Sequence, residues 1–152
     1  MRAGVIVESL GMSQDAYEIT RELNKISKLD KYYDIIVFYN DYDRLVMPPK
    51  FAMLQDEEMW GFDAPVIATN LYTANRLLSC PGPTKKYLYL WDLEWIHTPY
   101  YLETISPVYM NKDLQLIARS NEHSDIISKC WKDPVQTIEN FNYEKIANLI
   151  SQ

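Results

Sequence analysis

The chain has 152 residues, of which 47% are hydrophobic, 13% aromatic and 24% charged. That composition excludes a disordered or fibrous protein, and the length suits a single domain that covers residues 1–152. The 21 acidic and 15 basic residues give a net charge of −6. This balance disfavours nonspecific binding to nucleic acid, because phosphates would be repelled on average.

Cysteine usage and hydropathy bear on the compartment. Cys80 and Cys130 lie far apart with no CxxC, which predicts two small buried hydrophobic residues and no metal or disulfide framework. The N-terminus lacks the apolar core and cleavage site of a signal peptide. No apolar run approaches the roughly 18 residues that a transmembrane helix needs. We therefore expect a cytoplasmic protein without a membrane span.

Strands alternate with helices in the first half of the chain. Unbroken apolar, β-branched runs at residues 3–8, 33–39 and 65–69 predict strands buried on both faces, and residues 51–54 a short edge strand. Apolar residues at helical spacing predict a helix that Ser13 caps and that ends near Leu29. Asn70 caps a second helix, and residues 55–62 allow one helical turn.

The second half continues the alternation. Strands are predicted at residues 86–90, 114–118 and 135–138, with a loop and a short helix within residues 98–111. Ser120 or Asn121 caps one helix, and Asn142 caps the last. The pattern predicts an α/β protein with a Rossmann-like, doubly wound, mostly parallel sheet and helices on both faces.

Several motifs are absent. With four glycines in the chain, neither the GxGxxG fingerprint nor a P-loop can be written, and both need glycines so that backbone N–H groups can approach phosphates. There is also no GxSxG elbow and no HExxH. These absences argue against a dinucleotide-dependent dehydrogenase and a P-loop NTPase, and we predict no cofactor.

Candidate site residues lie where strands end, because open α/β sheets bind ligands beyond the carboxyl ends of their strands. The Gly11 loop is expected to present free N–H groups at a helix N-terminus, although such turns also serve only as strand–helix connections. The candidate ligand-binding residues are Gly11, Met12, Ser13, Asn70, Trp91, Glu94, Trp95, Ser120, Asn121 and Asn140.

The densest chemistry lies in residues 91–97. Trp91 and Trp95 offer flat faces on which a sugar or base can stack, and Asp92 and His97 are the candidate catalytic residues because either can act as a general base. The D-x-E-x-x-H spacing fits no metal site, so no metal is predicted. The alternative is a loop in which the tryptophans fill the core and the charged side chains are solvated.

Four stretches, taken in order, resemble the N-terminal half of GT-B glycosyltransferases. They are GVIVESLGMSQDAYEITRELNKI, YLYLWD, LQLIARSNEHSDIISKCW and VQTIENFNYEKI. The resemblance implies that Gly11 and Met12 lie at a cleft floor near the substrates and that Asp92 is a catalytic or acceptor-positioning residue. It also implies structural or cleft-edge roles for Ser120 and Asn140.

The sequence departs from the family pattern in three places. The first loop has one glycine where a pair is common, and Trp91-Asp92 stands where many members have a His-containing motif. The chain also stops at Gln152, where the donor-binding half is expected to begin. Without that half, the charges that stabilise a departing diphosphate are missing, and they are usually the largest catalytic contribution.

Several functions therefore stay open. The first is a domain that binds a sugar, a nucleotide sugar or an acceptor and is not catalytic alone. The second is one subunit of a two-chain glycosyltransferase, completed by a second chain with the donor half or by self-association, with Asp92 or His97 as base. A noncatalytic protein-interaction module and a small Rossmann-like enzyme of unrelated chemistry are the remaining hypotheses.

Overall fold

Short runs of β-branched and aromatic residues form the strands of one sheet. The computed structural model describes residues 1–29, 33–41, 44–97 and 102–152. Buried strand positions in this part of the chain are mostly Val, Ile, Leu, Tyr and Ala, which suit a sheet covered on both sides. The strands are β1 Arg2–Val7, β2 Asp34–Tyr39, β3 Ala52–Gln55, β4 Val66–Ala68, β5 Lys86–Leu90, β6 Leu114–Ala118 and β7 Gln136–Thr137.

The sheet has the strand order β3-β2-β1-β4-β5-β6-β7. Every neighbouring pair is parallel, so the predicted mostly parallel, Rossmann-like sheet is confirmed. The strand order reverses between β1 and β4, and a crevice forms there at the carboxyl edge of sheets of this kind. The topology therefore brings together loops that are more than sixty residues apart in sequence.

Helices cover both faces of the sheet, as predicted. The α-helices are α1 Gln14–Leu29, α2 Leu71–Ser79, α3 Glu94–His97, α4 Leu102–Tyr109, α5 Asn121–Cys130 and α6 Tyr143–Ile150. Within the described residues, short 3-10 helices are found at Asp56–Gly61 and Glu139–Phe141. Buried residues of α1 and α6 share one core cluster with the sheet, and those of α2, α3, α4 and α5 share the other.

The alternation of side chains along β5 shows how the two cores are divided. Leu88 and Leu90 belong to the cluster beneath α2 to α5, whereas Tyr87 and Tyr89 belong to the cluster beneath α1 and α6. Successive strand side chains point to opposite faces, so one five-residue strand supplies both cores. The two tyrosines of β5 thus lie on the face that α1 and α6 cover.

Polar side chains begin four of the helices as the sequence predicts. The side chains of Ser13, Asn70 and Asn142 accept hydrogen bonds from backbone N–H groups in the first turns of α1, α2 and α6. For α5, the sequence offered Ser120 or Asn121 as the cap. The structure shows that Ser120 is the cap, because its hydroxyl accepts the N–H of His123 at 3.2 Å. Each cap satisfies an N–H that has no partner within its helix.

Three details complete the fold. Cys80 is buried as expected, but Cys130 is exposed, which corrects the prediction that both are buried. Cys130 is the last residue of α5, and its position faces solvent.

The sequence predicted a loop and a short helix within residues 98–111. The structure has α4 in this segment, and residues 98–101 lie outside the described part. Among the described residues, none of the helices has both the length and the apolarity needed to cross a membrane.

Candidate binding site at the carboxyl edge of the sheet

A cavity of about 390 Å³ opens beyond the carboxyl ends of β5 and β6, and we name it the Arg119 cavity. Its walls come from the start of α1, the residues that follow β5 and β6, and the 3-10 helix before α6. Parallel strands bring these segments together because all of their carboxyl ends lie at one edge. The lining residues are Gln14, Asp15, Glu18, Tyr89, Trp91, Arg119, Ser120, Glu139 and Asn140.

Aromatic packing fixes the floor of the Arg119 cavity. The Trp91 indole is stacked on Phe141, with ring centroids 5.5 Å apart, and it meets Tyr89 edge-on at 4.9 Å. Trp91 is only 8% exposed. Little of the indole is therefore open for stacking on a ligand, which limits the role that the sequence predicted for it.

Arg119 was not among the residues that the sequence singled out, although it directly follows β6. Its Nη1 donates a hydrogen bond to the Trp91 carbonyl at 2.6 Å. The contact joins the residues that follow β5 and β6, and it holds a cation at the cavity wall. A charged residue immediately after a buried strand was the signal in the sequence that could have identified it.

Acidic side chains dominate the charge of the Arg119 cavity. Asp15, Glu18 and Glu139 line it together with the single cation of Arg119. Burial raises the pKa of Asp15, and the nearby Glu18 raises it further, whereas the charge of Arg119 acts to lower it. The cavity thus combines three carboxylates, a guanidinium, two hydroxyl groups and two amides.

The crevice between β1 and β4 forms a second, smaller cavity of about 290 Å³. Ser13 and Asn70 line it, but both side chains cap helices. The amide of Asn70 also donates to the Glu8 carboxylate at 3.1 Å. Because these polar groups already have protein partners and the remaining lining is rich in carboxylates, this crevice does not suit a phosphate.

Two of the backbone N–H groups of the Gly11 loop are bonded within the loop itself. The Gly11 N–H donates to the Ser9 hydroxyl at 2.9 Å, and the Ser13 N–H donates to the Gly11 carbonyl at 2.8 Å. Gly11 is buried, whereas the Met12 side chain is 80% exposed and lines neither cavity. These internal hydrogen bonds agree with the alternative in which the loop serves only as a strand–helix connection, and ligand binding there stays a prediction.

The two candidate catalytic residues lie beside each other at a third cavity of about 510 Å³. Nε2 of His97 is 4.0 Å from Oδ2 of Asp92, and their side chains are 72% and 66% exposed. Oδ1 of Asp92 accepts the N–H of Leu93 at 2.7 Å. The two residues that the sequence selected, Asp92 and His97, are therefore close together, but both side chains are largely exposed to solvent.

Glu94 lies at the same cavity in a more enclosed position. Its two carboxylate oxygens are 3.2 and 3.3 Å from the Leu71 nitrogen, so it accepts a hydrogen bond at the start of α2. Burial raises the pKa of Glu94, and the hydrogen bond from Leu71 acts in the opposite direction. Glu94 thus links α2 to α3 as well as lining the cavity.

Trp95 packs in the core. It is 8% exposed and packs edge-on against Tyr109 and Trp131, with ring centroids 5.1 and 5.7 Å away. Those partners come from α4 and from the end of α5, so the alternative reading of a tryptophan that fills the core holds for Trp95.

The remaining candidates divide between the cavity and the surface. Ser120 and Asn140 line the Arg119 cavity, and Asn140 adopts a left-handed backbone conformation at φ 54° and ψ 32°. Asn121 is exposed in the first turn of α5 and lines none of the three cavities. The structure therefore gathers Trp91, Ser120 and Asn140 and leaves Asn121 apart.

No three His, Cys, Asp or Glu side chains in the described part of the chain converge in a way that suits a metal ion. Comparisons of the chain with protein families, curated proteins and solved structures found no match. The case for a function therefore rests on the residues and geometry of the chain itself.

Proposed function

We propose that this chain is a glycosyltransferase-like domain that binds a sugar in the Arg119 cavity and does not catalyse transfer alone. The observation that carries the proposal is the convergence of Asp15, Arg119, Ser120 and Asn140 on one cavity beyond β5 and β6. Carboxylates and amide oxygens accept hydrogen bonds from sugar hydroxyls, and guanidinium, amide and hydroxyl groups donate to them. Such mixed donors and acceptors suit a polyhydroxylated ligand.

The balance of charge favours the sugar over a nucleotide diphosphate in this cavity. Three carboxylates face a single guanidinium, and a diphosphate placed there would meet net repulsion. Transfer from a nucleotide sugar needs positive charge or directed N–H groups near the leaving diphosphate. The Arg119 cavity supplies too little of either, which supports binding without turnover.

Nuclear magnetic resonance tests the proposal. We expect a panel of neutral hexoses and disaccharides at millimolar concentration to shift the amide signals of Trp91 and Ser120 in the ¹⁵N-labelled chain. Replacing Asp15 by Asn should weaken that binding by about tenfold, because a hydrogen bond to a charged group is typically worth about 1.5–3 kcal/mol.

The matched control is Asp63→Asn. Asp63 is exposed and lies just before β4, at the opposite edge of the sheet. The control removes the same charge, so it separates a local contact from a change in net charge. Failure of every sugar in the panel to move these amides, with the fold intact, contradicts the proposal.

A second candidate function is one subunit of a two-chain transferase, with a second chain or a second copy supplying the donor site. The proximity of Asp92 and His97 favours it, because a carboxylate beside an imidazole can orient it as a general base. In that case transfer appears only with the partner, and Asp92→Asn abolishes transfer while sugar binding persists. An effect of Asp92→Asn on affinity alone supports the noncatalytic domain.

The proposal also includes a cellular compartment. We expect the protein in the cytoplasm, because Cys80 and Cys130 are both free thiols and a reducing compartment keeps them so. Fluorescence microscopy of the tagged chain in its own cell tests this expectation. Accumulation outside the cytoplasm would contradict it.

A further inference from the structure

A cavity of about 320 Å³ lies beside the Arg119 cavity and shares Glu139 and Asn140 with it. We name it the Lys145 cavity. Three cations and two carboxylates line it, so its charge is opposite in sign to that of its neighbour. The lining residues are Arg21, Glu22, Lys25, Glu139, Asn140, Asn142 and Lys145.

One face of α1 runs past both cavities and changes its charge on the way. Asp15 and Glu18 line the Arg119 cavity, and Arg21 and Lys25 line the Lys145 cavity. Glu18 and Arg21 are three residues apart, which is about 4.5 Å along a helix axis. The two charge environments are therefore close enough for one small ligand to reach both.

The cations of the Lys145 cavity are incompletely neutralised by the protein. Glu22 is 3.4 Å from the Arg21 guanidinium and 2.5 Å from the Lys25 ammonium, so a single carboxylate is shared by two cations. The Nε–H of Arg21 is buried, and no acceptor among the described residues bonds to it. Lys145 reaches the cavity from α6 with its own charge.

The segment that separates the two cavities, Glu139–Phe141, has an unusual backbone conformation. Asn140 and Phe141 both have positive φ values, 54° and 49°. Asparagine tolerates this region, whereas a bulky residue such as phenylalanine adopts it rarely and needs support from surrounding contacts. The buried Tyr89 hydroxyl accepts the N–H of Phe141 at 3.0 Å and supplies one such contact. This hydrogen bond supports the backbone of the segment that separates the two cavities.

We infer that the ligand is a sugar phosphate, with its hydroxylated ring in the Arg119 cavity and its phosphate among Arg21, Lys25 and Lys145. The inference rests on the proposed function, since it assigns the sugar end to the same cavity. A phosphate carries a charge of about −1.5 to −2 at neutral pH and three acceptor oxygens, which match clustered cationic donors. If the ligand were a neutral sugar, the cationic donors of Arg21, Lys25 and Lys145 would form hydrogen bonds with water and not with the ligand.

The experiment compares hexoses with their own phosphates. Calorimetry measures the affinities of glucose, mannose and galactose and of the corresponding 6-phosphates for the full chain, with inorganic phosphate as a further probe. We expect at least one 6-phosphate to bind about tenfold more tightly than its parent hexose, as for one added charged hydrogen bond. That advantage should shrink as the salt concentration rises.

Variants locate the phosphate. Arg21→Gln and Lys145→Gln should each bring the ratio of the two affinities toward one. Lys112→Gln should keep the wild-type ratio, because Lys112 is an exposed lysine just before β6 at the opposite edge of the sheet. If Arg21→Gln loses its circular dichroism, Lys25→Gln replaces it, since Lys25 is exposed.

The outcomes separate the two claims. Hexoses that bind at the Arg119 cavity with no gain from the phosphate overturn this inference and leave the proposed function standing. An equal loss of the phosphate advantage in Lys112→Gln also overturns it, because the effect is then general charge attraction. Failure of every hexose and every hexose phosphate overturns the proposed function and the inference with it.

Discussion

The Tyr89 hydroxyl accepts a 3.0 Å hydrogen bond from the backbone N–H of Phe141, which has a positive φ of 49°. The same hydroxyl donates to the Ile138 carbonyl at 2.7 Å. One buried side chain of β5 thus supplies the partners for two backbone groups in the segment between β7 and α6. That segment forms a wall of both the Arg119 and the Lys145 cavities.

Replacing Tyr89 by Phe should destabilise the protein by about 3 kcal/mol. The change removes one hydroxyl and leaves a buried carbonyl and a buried N–H unsatisfied, each of which costs about 1–3 kcal/mol. Urea unfolding followed by circular dichroism gives the free energy of unfolding. Tyr72→Phe is the control, because Tyr72 is exposed. Equal stability of the two variants would show that the hydroxyl does not hold this segment.

Stability should fall in alkaline solution. Burial raises the pKa of Tyr89 from 10.0 to about 12, so between these values the unfolded chain has lost a proton that the folded chain keeps. The contribution of Tyr89 to the free energy of unfolding is therefore constant below about pH 10, and it decreases as the pH rises toward 12. Tyr109 and Tyr143 add to the trend, because burial raises the pKa of each.

Urea unfolding at a series of pH values measures that decline. Tyr89 alone should account for roughly 3 kcal/mol of it, because each pKa unit corresponds to about 1.36 kcal/mol. The decline should be shallower in Tyr89→Phe than in the wild type. Identical pH profiles would mean that Tyr89 ionises equally easily in the folded and unfolded chains.

Gly82→Ala should destabilise the turn between α2 and β5 by about 1–3 kcal/mol, as overpacking typically does. An added Cβ at Gly82 would lie 2.5 Å from the Trp60 carbonyl oxygen and 3.0 Å from the Phe62 nitrogen, both backbone atoms. The matched control is Gly61→Ala, where an added Cβ has no atom within 4 Å. Thermal unfolding of both variants decides the point, and equal melting temperatures would refute the expected clash.

The elements of the fold could be predicted because local signals agree with the tertiary structure. The run KYLYL places alternate side chains of β5 in two cores, and a buried strand of that kind is visible from composition alone. Asn142 is equally local, since it accepts the N–H of Lys145 three residues later. Neither feature depends on the rest of the chain.

The site was only partly predictable, because contacts that are distant in sequence decide which strand-end side chains are available. Trp91 and Trp95 look alike in sequence and both are 8% exposed, yet Trp91 lines the Arg119 cavity whereas Trp95 packs against Tyr109 and Trp131 from later segments. Arg119 bonds to a carbonyl 28 residues earlier. The packing around Trp95 is not encoded by any local pattern, whereas the position of Arg119 directly after a buried strand was a local signal that the sequence interpretation overlooked.

Replacing Arg119 by Gln should raise the pKa of Asp15 still further. Burial and the charge of Glu18 already raise that pKa, and Arg119 opposes them by favouring the ionised carboxylate. Removing the cation removes the opposing influence, so Asp15 should bind its proton up to a higher pH. The increase should be a fraction of a pKa unit, because solvent screens charges at half-open sites.

Carbon-detected nuclear magnetic resonance of the side-chain carboxyl of Asp15, followed over pH, measures the effect. Lys112→Gln serves as the control, since it removes a positive charge at the far edge of the sheet and should leave the pKa of Asp15 unchanged. Both variants lose one positive charge, but only Arg119→Gln loses it at the cavity, together with the hydrogen bond to the Trp91 carbonyl. A rise in Arg119→Gln alone therefore places the guanidinium in electrostatic contact with the acidic wall of the cavity. An unchanged pKa in both variants would mean that Arg119 serves only to hold the Trp91 carbonyl, and the charge balance on which sugar binding is argued would lose its cation.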